Sequence, residues 1–328
     1  MTVIVTYEDR PDGLIGAELL ARSLAAHAPT LRMEIHSPCA EVGDRIADLP
    51  GVGWVSTDDL HGRSWNVKPE ILTRALGEHP RVMWVDADIV FCGDPRPLLE
   101  RIPEGTLALG TEYADPEGHA GALRARGFGL PLRRRLGESV NSGTVLADRS
   151  HLPLLRAWSA LLQRADYRAA QALPLDRRPM AMVGDQDALW AALIAAEAYD
   201  GPLRFLHPGQ EMLFHVGGNG FSLQQRMAVL RGAQPVLVHM PGVHKPWGFD
   251  PLPGPLRQPG AHLHAVCYEL SPYFEAAQPL APGLGDPPWL RRRTLLARLL
   301  NALFLGNVPL RGMPLALLAA ATMRFRRR

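Results

Sequence analysis

The chain has 328 residues, 47% hydrophobic and 21% charged, enough to bury a sizeable core and too apolar for a disordered segment. Its three cysteines, Cys39, Cys92 and Cys267, are widely spaced and odd in number, which argues against a disulfide framework or a paired zinc spacing and fits a reducing cytoplasm. The net charge of +2 is uneven: nine arginines and no acidic residue follow Asp286, so the remainder carries about −7. The opening residues, MTVIVTYEDRPDG, lack the basic-then-apolar order of a signal peptide. No run of roughly 20 apolar residues offers a spanning helix.

Taken in order, Val3 to Tyr7 reads as a buried strand and Leu14 to Ala26 as a helix ending near Pro29. Leu31 to His36 and Gly53 to Ser56 follow as strands, and Pro69 to Leu76 as a helix with proline at its start. Arg81 to Phe91 is the strongest strand, the apolar run VMWV interrupted by Asp-Ala-Asp. Thr106 to Thr111 and Ser139 to Leu146 are further strands, Gln186 to Ala196 a helix, and Pro235 to Met240 a last short strand. Residues 248–288, rich in proline and glycine, read as ordered loop or linker. Alternating strands and helices predict a layered α/β fold with a largely parallel sheet, whose strand ends face the ligand.

Five constellations carry chemistry. Asp86-Ala87-Asp88 ends the apolar run; on a strand both carboxylates point to one side, where a proton or a divalent cation must relieve their repulsion. The segment His239 to Trp247 places a nitrogen ligand, a glycine and Lys245 together, suited to a borderline ion and a phosphate. Asp185-Gln186-Asp187 opens a helix, where a plain N-cap is the alternative. Asn141-Ser142-Gly143 reads as a turn before a strand. Lys68 lies about one helix upstream of the Asp-Ala-Asp strand, and a lysine there is ordinarily solvated.

In order and spacing, the DAD at 86–88, NSG at 141–143, DQD at 185–187 and H-x-x-G-x-x-K-P-W at 239–247 resemble glycosyltransferase family 8, over roughly residues 1–250. The resemblance implies a GT-A fold, Rossmann-like, with a central mixed, mostly parallel sheet in one domain. It implies Mn2+, with Mg2+ as the alternative, a UDP-hexose donor such as UDP-glucose or UDP-galactose, and retention of configuration. Asp86, Asp88 and His239 would bind the metal, and Gly242 and Lys245 the diphosphate. Lys68 would lie beside the donor, Asn141 and Asp185 would contact the transferred sugar, and Gln186 would sit near the anomeric carbon. Thr6, Tyr7 and Glu8 would meet the nucleobase and ribose. The acceptor would be a saccharide, glycolipid or lipid-linked sugar.

Two rival readings remain. An apolar strand ending in D-x-D also fits a haloacid dehalogenase-like phosphatase, although about 80 residues precede it here and the His239–Trp247 segment is left without a use. A non-catalytic nucleotide-sugar-binding protein would share the same ligands. Residues 289–328 form a separate basic tail: leucines at 295, 296, 299 and 300 beside arginines predict an amphipathic helix for an anionic membrane surface, on the cytoplasmic face. Packing on the body or a homodimer are the alternatives for that tail, and an acidic body argues against nucleic acid.

Overall fold

The computed structural model describes residues 1–60, 64–216, 220–242 and 244–326. The chain begins with β1 (Thr2–Tyr7), α1 (Leu14–His27), β2 (Arg32–Ser37), α2 (Glu41–Ile46), β3 (Val52–Ser56) and α3 (Lys68–Glu78). Next come β4 (Arg81–Val85), β5 (Ile89–Phe91), α4 (Arg96–Glu100), β6 (Leu107–Gly110), α5 (His119–Gly127) and β7 (Asn141–Asp148). They are followed by α6 (Leu152–Leu162), α7 (Ala165–Gln171), α8 (Asp185–Ala195), β8 (Leu203–Leu206), β9 (Met212–Val216), β10 (Gly220–Phe221), α9 (Leu223–Leu230) and β11 (Leu237–His239). The chain closes with α10 (Pro259–Glu269), α11 (Pro272–Ala277), α12 (Leu295–Leu303), α13 (Val308–Arg311) and α14 (Met313–Arg326).

These elements form two compact units, each discontinuous in sequence. The first comprises Met1–Leu14, Leu31–Asp86 and Leu98–His207. Its seven-stranded sheet has the order β3-β2-β1-β4-β7-β6-β8. All neighbours are parallel except β7, which runs antiparallel to both β4 and β6. The mixed, mostly parallel sheet expected from the sequence is therefore present. Its central strands are covered on both faces, which is why β1 and β4 read as continuous apolar runs rather than alternating ones. Val5, Trp84, Leu109 and Val145 join Ile71, Trp158 and Trp190 from the flanking helices in one core.

The second unit comprises Ile15–Thr30, Ala87–Pro97 and Pro208–Arg328. Its four strands have the order β10-β9-β11-β5, with β5 antiparallel to β11. Val90, Leu213 and Val238 pack with Tyr268, Tyr273, Phe274 and Trp289 in a separate core.

Two expectations need correction. The single strand over 81–91 is two strands in two sheets, parted at Asp86-Ala87-Asp88. The Asp86 amide donates to the Gly143 carbonyl at 2.9 Å, closing the first sheet, while the Met240 amide donates to the Asp88 carbonyl at 3.1 Å in the second. Two adjacent carboxylates have no place inside a sheet buried on both faces, so strand alternation does not orient them. Residues 248–288, expected as loop or linker, carry α10 and α11. Their prolines stand in first turns, where a missing N–H costs nothing, and Ser271 Oγ accepts the Phe274 amide at 3.1 Å as a cap.

Candidate active site

In the first unit, the end of β4 meets the start of α8. Lys68, the first residue of α3, is 4% exposed and reaches into this point. Its Nζ lies 2.9 Å from one oxygen of Asp86, 3.1 Å from Ser142 Oγ and 3.5 Å from Asp185 Oδ2. Ser142 Oγ in turn donates to Asp185 Oδ2 at 2.7 Å. The indole of Trp84, near the end of β4, donates to Asp86 Oδ1 at 2.7 Å. Trp158 Nε1 fixes the Asp185 carbonyl at 2.9 Å. One ammonium thus serves two carboxylates, and the lysine expected beside the donor is not solvated. Burial pushes the Asp185 carboxyl above its ordinary value, against the pull of Lys68 and the Ser142 hydroxyl.

The Asp185 side chain does not cap its helix. Gly184 occupies the N-cap position, and Asp187 accepts the Gly184 amide at 2.9 Å. Asp187 also takes Arg124 Nε at 2.7 Å, with that guanidinium over the Trp190 ring. Burial raises the Asp187 carboxyl despite this ion pair. Asn141 opens β7, and its Nδ2 donates to Glu112 Oε1 at 2.6 Å and reaches Gln186 Oε1 at 3.5 Å. Asn141 and Gln186 are therefore neighbours, as are Lys68, Asp86 and Asp185.

At the end of β1, Thr6 is fully buried and Tyr7 belongs to the first core. The Glu8 carboxylate is engaged by the Arg10 guanidinium at 2.7 and 2.8 Å. Gly13 lies so close to that carboxylate that a Cβ there would stand 2.3 Å from it.

In the second unit, Asp88 precedes β5 and His239 ends β11. His239 is 2% exposed, and its Nε2 lies 3.1 Å from Asp88 Oδ1. The Lys245 ammonium donates to Asp88 Oδ2 and lies 3.4 Å from the Met240 carbonyl. Burial alone would raise the Asp88 carboxyl, but the Lys245 charge and the His239 ring hold it well below the usual carboxylate range. Gly242 has φ +107°, a conformation closed to most side chains, which explains the glycine in this segment. Val243, in the same segment, lies outside the described residues.

No protein-family model matches the chain, and no curated protein matches it. Among solved structures, apo WbbM, a bifunctional glycosyltransferase, superposes with TM-score 0.53 at 16% identity. The match covers 75% of this chain and 46% of that one, so this chain spans less than half the length of that relative. The chain has the GT-A fold. An active-site mutant of LgtC aligns at TM-score 0.48 and 13% identity, over 77% of this chain and 91% of that one. The galactosyltransferase LgtC with donor and acceptor sugar analogues aligns at 0.46 and 15%, over 75% and 89%.

Within the GT-A fold, sequence reasoning missed Ser142 as the link between Lys68 and Asp185, and Glu112 as the partner of Asn141. Ser142 was visible inside NSG, but only the fold turns its hydroxyl on α8. Glu112 carries no local signal at all, because its partner lies 29 residues away.

Proposed function

We propose that the chain is a metal-dependent, retaining glycosyltransferase that moves a hexose from a nucleotide sugar, UDP-glucose or UDP-galactose, to a saccharide or glycolipid acceptor. The observation that carries this reading is the set Lys68–Asp86–Ser142–Asp185, buried except for the partly exposed Asp86 and built at the carboxyl end of a central strand of a GT-A sheet. That is where an open α/β sheet places its ligand.

Asp86, Asp88 and His239 are the proposed metal ligands, with Mn2+ as the cation. Two features support their fitness. The donor set is two carboxylates and one imidazole, right for a borderline ion. Asp88 Oδ1 is also buried without a hydrogen-bond donor while an imidazole nitrogen stands 3.1 Å from it, an arrangement that a cation satisfies. When bound, the ion would supply Lewis-acid stabilisation of charge on the leaving diphosphate.

The chain's own residues supply the rest. Lys245 pairs with an anionic oxygen already and is suited to hold a phosphate. Asn141 and Asp185 present an amide and a carboxylate to sugar hydroxyls. Gln186, a poor nucleophile beside Asn141, favours attack from the face of departure over a covalent intermediate. Thr6, Tyr7 and Glu8 are assigned to the nucleobase and ribose by the resemblance alone. Glycosyl transfer is read out by incubating the protein with Mn2+ and each nucleotide sugar and following nucleoside diphosphate release. Asp88→Asn should reduce turnover at least a hundredfold with the fold retained. Undiminished turnover in excess chelator would remove the metal from the proposal. A β-linked product from an α-linked donor would remove retention.

Peripheral attachment to the cytoplasmic face of a membrane is also proposed, through the C-terminal helices. No helix of the described residues is long and apolar enough to cross a bilayer. Support comes from the leucines that α12 leaves in solvent, at 295, 296, 299 and 303.

A further inference from the structure

The second unit contains a cavity of about 450 Å³ that none of the proposed catalytic residues lines. Its volume lies in the range of small-molecule sites. Leu213, Phe221, Val229 and Leu280 line it, with Pro272 and Pro309. Of the polar side chains on that wall, Ser23, Cys92 and Glu275 are already committed elsewhere, while His27 is exposed. Ser23 Oγ donates to the Leu20 carbonyl at 2.7 Å and accepts the Phe91 amide at 3.0 Å. The Cys92 thiol donates to the Pro235 carbonyl at 3.2 Å, and burial pushes its pKa up to about 12, so it stays neutral. Glu275 is held by Arg311 at 2.7 Å and Arg292 at 3.4 Å. Apart from His27, a polar ligand would find little to bond with here, and water would be poorly held.

Two further observations choose among apolar occupants. The Val308 and Pro309 wall belongs to α13, which Arg226 fixes by donating to both of their carbonyls, at 3.3 and 2.7 Å. Helix α13 stands in the chain between α12 and α14, the two helices that leave leucines in solvent, among arginines with no acidic residue after Asp286. That surplus of arginines favours an anionic or neutral head outside the cavity over a cationic one.

We infer that this cavity binds a single hydrocarbon chain of an amphiphile, with its head group left outside. The inference is independent of glycosyl transfer, because the site shares no residue with the proposed catalytic set. Two sources carry such a chain, a free fatty acid and a lipid with a neutral or sugar head.

The test titrates the full-length protein by calorimetry with dodecanoate and with dodecyl maltoside below its micelle concentration, and repeats each with the octyl analogue. Both dodecyl ligands should bind, and affinity should rise about fourfold per added methylene until the cavity is full. Binding of dodecanoate alone would show that the carboxylate and not the chain is recognised and would overturn the inference, as would equal affinity for octyl and dodecyl. Ala276→Trp, which places a ring in the cavity, should lower dodecyl affinity at least tenfold; undiminished binding by a folded variant overturns the site. Should that variant not fold, the chain-length series in the native protein decides alone.

Discussion

Lys68 holds two carboxylates, and removing it leaves both of them near or below the surface without a counter-charge. Lys68→Met should therefore cost about 3 kcal/mol by urea unfolding, the usual penalty for breaking a buried ion pair from one side. Asp185→Asn should cost less, because burial already works against the Asp185 charge. Equal losses in the two variants would mean that Lys68 contributes no more than local packing. A second residue sets a pH dependence. His215, on β9, is 1% exposed, and neither ring nitrogen has a hydrogen-bond partner. Burial, followed by the charges of His264 and Arg226, pushes its pKa down to about 3. The unfolded chain takes up this proton near pH 6.5, so the folded state binds fewer protons between those limits. The contribution is whole above pH 6.5 and is lost as the pH falls towards 3, at about 1.4 kcal/mol per unit. His215→Leu should lose less stability than the native protein between pH 7.5 and 5. Parallel losses would show that His215 takes up its proton in the folded state.

At the scale of elements, α1 approaches the Asp-Ala-Asp segment closely enough to need a glycine. A Cβ on Gly16 would stand 2.5 Å from the Trp247 ring and 2.7 Å from the Ala87 carbonyl. Gly→Ala in a helix ordinarily stabilises by about 1 kcal/mol. Here a backbone oxygen cannot yield easily, so Gly16→Ala should instead destabilise by about 1–3 kcal/mol and lower turnover through Asp88. A raised urea midpoint would contradict this packing. No sequence pattern announced the contact, since Gly16 lies 71 positions from Ala87 and reads as an ordinary helical residue. What was legible were local signals: the apolar runs of β1 and β4, the helix opening at Asp185, and the order of the four motifs. The break between β4 and β5 was not, because VMWVDADIVF has the apolar content of one strand. Only the partners, β7 for one half and β11 for the other, divide it. The helices within 248–288 were hidden for the opposite reason: prolines read as breakers also start helices.

For the molecule as a whole, the arginine-rich tail divides into anchors and a free face. Arg311 is 1% exposed and donates to the Leu270 and Ser271 carbonyls at 3.1 and 3.0 Å. The amides of Arg293 and Thr294 donate to the buried Glu269 carboxylate, both at 2.9 Å. Part of the charge that the sequence offered to a membrane is thus used inside the second unit, and cutting the chain after Asp286 would strip a core. Arg327 and Arg328 lie outside the described residues. Helix α12 packs through Ala297 and Leu300 against Val266 and Leu270, and turns the opposite stripe outward. Leu295, Leu299 and Leu303, four residues apart, are 69%, 58% and 72% exposed. Substituting them should therefore cost the fold about 0.5 kcal/mol each or less. The triple variant Leu295→Gln, Leu299→Gln, Leu303→Gln keeps every charge, so it separates apolar insertion from electrostatic attraction. Native protein should float with vesicles containing anionic lipid at low salt, and the triple variant should remain in the dense fractions. Its donor hydrolysis should be unchanged, since no residue proposed to bind the metal or the donor lies beyond Lys245. A triple variant that floats as well as the native protein would leave arginines alone as the attachment, and native protein that fails to float would end the membrane proposal.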